Sequence, residues 1–372
     1  MSVVVFARQR AALHRVTMLK IALALGILLL FLLGSRLPAE HAKIAAVQSP
    51  AWEPEGRYPI SFSDRWEVGA DAPVPTAILL TALNFWRANM MGMSFGLIMG
   101  GAALSLLQTA PFVARLAALR GLRGTLIGML LGAPLNLCAN CAAVTSDGVG
   151  RRTRTPETAY GIILGSALWN VVGLAAIAAL FPRPVLLARL AFAVLSTFVA
   201  LPLLARWLVP TGQAAAVPAV PDMEGAVSWR AALLVTLRDW ARSSAALALQ
   251  LIPTMIVATM VAAVARVAVQ PLLGAAPGVG IGSIAAFALA GTLISIPVLF
   301  DVPLGIVATQ LGAGVGGVAA LMCAAPGVGI FTVILAARVS GWRLAAAMLG
   351  ATFVLAVGAG VLAHALAVYG GL

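Results

Sequence analysis

Long apolar runs separated by short polar stretches dominate this chain. A run of about 20 residues is long enough to cross the hydrocarbon core of a bilayer as a helix, since each helical residue adds about 1.5 Å. The runs predicted to span in this way are Met18–Gly34, Met91–Phe112, Ala159–Phe181, Val185–Val209, Ala245–Val267, Val315–Ala337 and Leu344–Tyr369.

Two further runs, Leu122–Val144 and Ile281–Ile306, are apolar but contain proline and polar residues. Each unsatisfied polar group in hydrocarbon costs several kcal/mol, so such a segment must be buried in protein or line a water-filled cavity. We predict that both are broken or re-entrant helices. The chain is therefore expected to be an all-α polytopic membrane protein with about seven full spans and two re-entrant segments, or eight to ten spans by other counts.

Composition agrees with this pattern and excludes a soluble globule. Hydrophobic residues make up 62% of the chain, charged residues only 10%, and the mean hydropathy is +1.03. The net charge of +12 does not indicate nucleic-acid binding, because the cations lie in short clusters beside apolar spans and leave no soluble basic domain. We expect the clustered cations to lie at the cytoplasmic membrane interface and the apolar spans to contact membrane lipid.

The first cluster of cations precedes the first span and consists of Arg8, Arg10, Arg15 and Lys20. No convincing small-residue cleavage site follows Gly34, so we interpret residues 1–35 as an uncleaved anchor with a cytoplasmic N-terminus. The next loop, residues 36–75, holds half of the acidic residues and belongs outside the cytoplasm. This loop is a candidate binding site for a periplasmic partner. The predicted location is the inner (plasma) membrane of a bacterium.

The remaining arginines fit one topology if Leu122–Val144 enters and leaves the membrane on the same side. The residues then placed inside are Arg115, Arg120, Arg123, Arg151, Arg152, Arg154, Arg206, Arg230, Arg238, Arg242, Arg338 and Arg343, whereas the uncharged loop 270–280 lies outside. Asp147 is interpreted as a loop residue paired with Arg151 and Arg152, and as a secondary candidate for ion coupling.

An internal repeat is visible when the chain is divided at a Pro/Ala-rich segment, residues 210–227, which we expect to be a cytoplasmic linker. The segment Leu79–Arg87 is echoed by Leu234–Arg242, and Gly132–Cys141 by Gly291–Asp301. Residues 76–209 and 228–372 would then form membrane repeats of opposite orientation, as in secondary transporters whose site lies at the bilayer midplane. The alternative is that Ala/Leu-rich helices resemble each other by composition alone.

Cys138 and Cys141 are the candidate substrate or metal ligands, with Asn136 and Asn140 beside them. In a helix, residues three apart share a face, so both sulfurs could contact one soft centre such as trivalent arsenic, Cu(I) or Hg(II). Cys323 is a candidate third ligand. Buried cysteines also occur as small hydrophobic residues, and this alternative is favoured for Cys323.

Asp301 is the lone acid of the second broken segment, and an ionisable residue at membrane depth is a functional candidate. It could carry a coupling proton, or it could form an ion pair or cap an unwound helix end. Asn170 could line the cavity, although hydrogen bonding between helices is the commoner reason for such an Asn. The prolines expected to unwind the backbone around the site are Pro134, Pro297, Pro303 and Pro326.

The run Pro134-Leu-x-x-Cys138-x-x-Cys141-Ala-Ala, the later Trp169-Asn170, and the segments Phe300-Asp301-Val-Pro303 and Cys323-Ala-Ala-Pro326-Gly resemble a predicted permease family that includes the organoarsenical efflux permeases. The resemblance covers about Thr76 to Arg338. It implies export of a small solute, organoarsenical or soft metal, across the inner membrane. The Cys-x-x-Cys spacing departs from that of the organoarsenical branch, whose cysteines lie closer together.

No nucleotide-binding or zinc motif is present, so we expect no ATP drive, no cofactor and no enzymatic activity. The predicted function is ion-coupled efflux by alternating access of a small molecule or metalloid. One alternative is a membrane thiol-disulfide oxidoreductase that relays electrons through Cys138 and Cys141. Another is a membrane scaffold that does not transport.

Overall fold

The computed structural model describes residues 3–38, 41–42, 45, 65–69, 72–109, 119–153, 155–209, 228–275, 278, 280–294, 296, 300–310 and 312–370. Within these ranges the chain is built from helices, six of which are long and apolar enough to cross a membrane: Ala11–Ser35, Val74–Leu107, Pro156–Leu180, Arg183–Leu208, Trp229–Ala268 and Trp342–Tyr369. The prediction of an all-α polytopic membrane protein is confirmed. Most of the predicted outer loop 36–75, the whole linker 210–227 and Pro297 lie outside the described residues.

The first helix, α1 (Val3–Phe31), continues into a π-helical turn at Leu32–Arg36. The expectation that Lys20 precedes the first span is wrong, because Lys20 lies inside it with 1% of its surface exposed. Its ammonium lies 2.7 Å from a carboxylate oxygen of Asp239 and donates to the carbonyl of Ser105. A cation at this depth needs such partners. The first helix is therefore fixed to the helices that carry Ser105 and Asp239.

Residues 74–208, called the first half here, begin with α2 (Val74–Thr109). The helices that follow are α3 (Gly121–Gly132), a 3₁₀ turn (Ala133–Leu135), α4 (Ala139–Thr153), α5 (Pro156–Leu168), α6 (Val171–Leu180), α7 (Arg183–Val194), a π-helical segment (Leu195–Ala200) and α8 (Leu201–Leu208). The predicted break in Leu122–Val144 is present. Ala159–Phe181 is also interrupted, at Trp169 and Asn170, which the hydropathy pattern did not indicate.

Helices α3 and α5 lie side by side and run in the same direction. Near their first residues the main-chain N–H of Gly121 donates to a carboxylate oxygen of Glu157 at 3.0 Å. Near their last residues a Cβ added at Gly165 would lie 2.5 Å from the carbonyl oxygen of Met129. The chain therefore returns beside Gly121 after passing through α3 and α4. At about 1.5 Å per residue, the twelve residues of α3 span only about 18 Å, too short to cross a bilayer alone.

Residues 229–369, the second half, consist of α9 (Trp229–Ala275), α10 (Ile281–Leu293), α11 (Asp301–Gln310), α12 (Val315–Ala324), α13 (Ile330–Ser340) and α14 (Trp342–Tyr369). Ile281–Ile306 is interrupted, as predicted. The prediction that Val315–Ala337 is one span is wrong, because α12 ends at Ala324 and α13 begins only at Ile330. Pro326 lacks an amide hydrogen and lies in a Gly-rich segment, which explains the interruption.

The second half repeats the local arrangement of α3, α4 and α5. A Cβ added at Gly316 would lie 2.8 Å from Ile284, and one added at Gly291 would lie 2.6 Å from Ala324. Helices α10 and α12 therefore also run side by side in the same direction. The carbonyl of Gly278 accepts from the N–H of Gly314, so the chain again returns beside its starting point. In both halves a long helix precedes this group and another follows it.

The glycine contacts between α3 and α5 generate a stability prediction. A Cβ at Gly161 would lie 2.6 Å from the carbonyl oxygen of Thr125, closer than non-bonded atoms approach. Gly161→Ala must therefore push two backbones apart, and we expect a loss of about 1–3 kcal/mol. The measurement is the thermal midpoint of the detergent-solubilised protein. Gly350→Ala is the matched control, because nothing lies within 4 Å of its added Cβ. Equal midpoints for the two variants would contradict the close contact.

Candidate functional site

The first interruption, residues 133–138, lies between α3 and α4. Pro134 is in the 3₁₀ turn, and Asn136 has a left-handed backbone with φ of 50°, a conformation that Asn tolerates better than most residues. The hydroxyl of Ser166, on α5, accepts from the N–H of Leu137 at 2.7 Å and donates to its carbonyl at 3.1 Å. One side chain therefore satisfies both main-chain polar groups of a buried residue where no helix can do so.

The cysteine pair begins α4. The carbonyl of Cys138 accepts from the N–H of Ala142, and its sulfur accepts from the N–H of Cys141 at 3.4 Å. The two sulfur atoms are 3.0 Å apart, both residues are buried, and neither is in a disulfide. Asn89 of α2 places its side-chain oxygen 3.7 Å from the sulfur of Cys138. The predicted sharing of one face is therefore present at the first turn of α4.

Asn140 connects the pair to the second half. Its side-chain oxygen accepts a hydrogen bond of 2.9 Å from the hydroxyl of Thr332, in the first turn of α13. Further along the same two helices, the guanidinium of Arg338 lies 3.7 Å from a carboxylate oxygen of Asp147. Helices α4 and α13 therefore run in the same direction and begin beside each other. Two half-helix N-termini, with their partial positive charge, meet next to the sulfur atoms.

The interpretation of Asp147 as a loop residue is wrong. Asp147 lies within α4 with 1% of its surface exposed, and its carboxylate faces Arg338 of α13. The carboxylate is therefore part of a contact between the two halves. Arg338 also donates to the hydroxyl of Thr254 on α9, which fixes its position from a third helix.

Asp301 is the first residue of α11 and is 4% exposed. One of its carboxylate oxygens lies 3.6 Å from a terminal nitrogen of Arg189, which is on α7 and equally buried. Asp301 therefore has an ion-pair partner, and it also stands at the start of a half-helix, where a negative charge is favoured.

Arg189 also binds two half-helix C-termini. Its guanidinium donates to the carbonyl of Met322 at 2.8 Å and to the carbonyl of Ala167 at 3.2 Å. These carbonyls belong to the last turns of α12 and α5, where the helix leaves acceptors unsatisfied. One cation therefore connects an interrupted helix of each half to the acid that begins α11.

Sequence reasoning missed Arg189, and the signal was available. Arg189 lies within the run Val185–Val209, where its neighbours are apolar. A lone arginine inside a membrane span is as strong a functional candidate as a lone aspartate. Asn89 gave no comparable signal, because it precedes the predicted span Met91–Phe112 and only the fold brings it to Cys138.

The other predicted residues have separate positions. Cys323 is buried in α12, next to Met322, and among the described residues no group of three His, Cys, Asp or Glu could hold a metal ion. The structure therefore does not bring Cys323 to the cysteine pair as a third sulfur ligand. Asn170 caps α6, since its side-chain oxygen accepts from the N–H groups of Val172 and Gly173. Pro303 lies in the first turn of α11, where its missing N–H costs little.

Comparison with known proteins gives one informative match. The chain is 26% identical over 286 residues to UPF0718 protein YraQ of Escherichia coli (strain K12), covering 75% of this chain and 79% of that protein. No protein-family model matches the chain, and no solved structure matches it significantly. The similarity extends over most of both chains.

The Arg189–Asp301 contact predicts a strong coupling in stability. Arg189→Met leaves a buried carboxylate and two helix-end carbonyls without their donor, and we expect a loss of about 3–5 kcal/mol. Asp301→Asn removes the charge but keeps a polar group, so its loss should be smaller. In the double variant the two losses should not add, because the uncompensated carboxylate is gone. Thermal midpoints in detergent provide the measurement, with Arg183→Met, at an exposed position of α7, as the control. Strict additivity would show that the two groups do not interact.

Proposed function

We propose that this protein is a membrane permease that exports a small thiophilic solute by ion-coupled alternating access. The observation that carries the proposal is the buried Cys138/Cys141 pair, with sulfur atoms 3.0 Å apart, at the start of a half-helix inside a membrane domain. A structural role needs neither two thiols in contact nor an interrupted helix at that point. Binding and release of a soft centre needs both.

The distance between the sulfur atoms bears on the substrate. With a metal–sulfur bond of about 2.3 Å, a linear S–metal–S unit would separate the two sulfurs by about 4.6 Å. At 3.0 Å the pair fits a bent chelate, in which both sulfurs bind the same side of one centre. Trivalent arsenic forms such bent bonds. This geometry favours a centre with bent bonds, such as the arsenic of an organoarsenical, over linear Cu(I) or Hg(II).

An apolar cavity among the helices that surround the interruption before Cys138 supports a substrate with an organic group. Its volume is about 310 Å³, and it lies among α1, α2, α3, α4 and α5. Leu135, three residues before Cys138, is in its wall, and Thr145 is the polar residue among those that line it. Apolar walls with few polar groups are typical of small-molecule sites. The aryl or alkyl group of an organoarsenical has the chemistry to occupy this cavity.

The arrangement of the two halves supports an inverted repeat. If α12 and α13 together cross the membrane, then α4, which runs parallel to α13, points to the same side. Helices α3 and α5 would then enter from that side, and α10 and α12 from the opposite side. This agrees with the topology argued from the arginines, in which Leu122–Val144 is re-entrant and the N-terminus is cytoplasmic. Two interrupted helices of opposite orientation are the geometry that secondary transporters use at the midplane.

Charge at Arg189 supports Asp301 as the coupling residue. Each helix C-terminus carries about half a negative charge, so the ends of α5 and α12 together offset the single charge of Arg189. Asp301 can therefore accept a proton without leaving Arg189 without acceptors. We propose that protonation of Asp301 shifts the equilibrium between the inward-facing and outward-facing states.

A redox function is the second candidate, and one observation favours it. The sulfur atoms of Cys138 and Cys141 are close enough to form a disulfide after a small movement, since a disulfide bond is about 2.0 Å long. However, a relay of electrons needs a second thiol pair, and Cys323 is the remaining cysteine of the chain. The structure brings no third cysteine to the pair among the described residues.

The test is resistance of a bacterial host that lacks its own arsenical and metal efflux systems. Expression of the chain should raise resistance to a trivalent organoarsenical several-fold, and Cys138→Ser/Cys141→Ser should abolish this gain. Cys323→Ser is the matched control and should retain resistance, because its sulfur is outside the pair. Asp301→Asn should reduce export while leaving substrate binding by membranes intact. Resistance that survives loss of both cysteines would refute the proposed site.

The same strains separate transport from redox relay. Under transport, everted membrane vesicles should accumulate the arsenical without net oxidation of Cys138 and Cys141. If the redox function is correct, thiol trapping of cells should reveal a disulfide that forms and disappears with the redox state of the medium, and no arsenical should accumulate.

A further inference from the structure

A second cavity lies away from the cysteine pair, where α3 and α5 begin and α8 ends. Its volume is about 570 Å³. Its wall includes Arg120, Glu157, Phe198 and Arg206. We propose that this cavity binds the headgroup of a monoanionic glycerophospholipid that carries a hydroxyl donor, namely phosphatidylglycerol.

Two arginines supply the phosphate-binding groups. Arg120 stands in extended conformation directly before α3, and Arg206 lies in the last turn of α8. Both are exposed, and in the part of the chain that the structure describes neither guanidinium has an ion-pair partner. Arginine binds phosphate oxygens through paired N–H donors. Basic pockets between membrane helices on the cytoplasmic side are recurrent sites of anionic headgroups.

Glu157 is the third charged residue of the cavity wall and is 5% exposed. One of its carboxylate oxygens accepts from the N–H of Gly121, at the start of α3, whereas its other oxygen has no hydrogen-bond partner among the described residues. A buried acceptor without a donor costs about 1–3 kcal/mol or more when charged. A hydroxyl group on the ligand would supply the missing donor.

The charge of the wall selects among membrane lipids. Two arginines and one glutamate give a net charge of about +1, which complements a headgroup of charge −1. Phosphatidylethanolamine has no net charge, cardiolipin carries two phosphates, and phosphatidylcholine has neither net charge nor a headgroup donor. Phosphatidylglycerol combines a single negative charge with hydroxyl donors.

Apolar residues of the same wall are placed to contact acyl chains. Leu122, Val199 and Leu203 are 55%, 50% and 40% exposed, as expected for residues that face lipid. Phe198 and Val199 belong to the π-helical segment Leu195–Ala200, and π-helical turns occur frequently at functional sites. One polar end and one apolar wall match the two parts of a phospholipid.

The π-helical segment also connects this cavity to the interruption between α5 and α6. The hydroxyl of Thr197 accepts a hydrogen bond of 3.1 Å from the indole N–H of Trp169, and the ring of Phe198 lies 5.6 Å from the same indole. Trp169 precedes Asn170, which caps α6. A lipid that contacts Phe198 therefore lies next to the residue that packs on Trp169, at the interruption between α5 and α6.

The experiment measures lipid binding to the delipidated full chain in detergent by native mass spectrometry and by thermal midpoint. Phosphatidylglycerol should bind and raise the midpoint, and Arg120→Gln/Arg206→Gln should weaken its binding about tenfold or more. Arg123→Gln is the matched control, since Arg123 lies in the first turn of α3, three residues after Arg120, and is not part of the cavity wall. Single Arg120→Gln and Arg206→Gln variants, each expected to give an intermediate loss, guard against a folding defect of the double variant.

Comparison of lipids and soluble anions tests each part of the proposal separately. Phosphatidylcholine should bind at least tenfold more weakly, and equal binding would refute the role of charge. Phosphatidylmethanol has the same charge without a hydroxyl, so binding equal to that of phosphatidylglycerol would refute the role of Glu157. Inorganic phosphate alone should not raise the midpoint, and a rise equal to that with the lipid would identify a soluble anion as the ligand. None of these readouts depends on arsenical transport.

Discussion

The need to satisfy every main-chain polar group inside a membrane governs this structure. A continuous helix does so by itself, but each interrupted helix exposes acceptors at one end and donors at the other. Particular side chains take over these groups: Ser166 binds both polar groups of Leu137, Asn170 caps α6, and Arg189 binds the last carbonyls of α5 and α12. Polar side chains are required at the interruptions because the helices leave backbone groups unpaired there.

This requirement also explains how the two halves are joined. The contacts between them at the interruptions are polar and few: Asn140 with Thr332, Asp147 with Arg338, and Arg189 with Met322 and Asp301. Contacts within a half, such as α3 with α5 and α10 with α12, are close glycine packing without charge. Glycine packing of this kind resists sliding, whereas a small set of hydrogen bonds and ion pairs can exchange partners. Glycine packing also joins α2 to α9 across the two halves, where a Cβ added at Gly101 would lie 2.7 Å from the Cα of Ser244. The polar contacts at the interruptions are therefore the part of the boundary between the halves that can exchange partners.

Hydropathy and proline content were sufficient to predict the class of fold and the interruptions of Leu122–Val144 and Ile281–Ile306. They were not sufficient for Ala159–Phe181, whose interruption at Trp169 and Asn170 contains no proline. In Val315–Ala337 Pro326 indicated an unwound backbone, but the mean hydropathy stayed that of one span. The sharing of one helix face by Cys138 and Cys141 could be argued from their spacing alone. The residues that contact the candidate site residues could not be predicted in this way. Asn89, Arg189 and Thr332 come from distant segments, and only the packing of α2, α7 and α13 brings them to the site.

Lys20 and Arg189 show why charge within a span has to be judged by its partners. Both are buried cations in apolar helices, but Lys20 has one carboxylate and one carbonyl that hold α1 against α2 and α9. Arg189 has two helix C-termini in addition to Asp301, so its charge is already offset before the carboxylate is counted. Removing a proton-binding acid from the first pair would leave a cation with a single neutral acceptor. Removing it from the second would leave a cation that keeps two helix-end carbonyl acceptors.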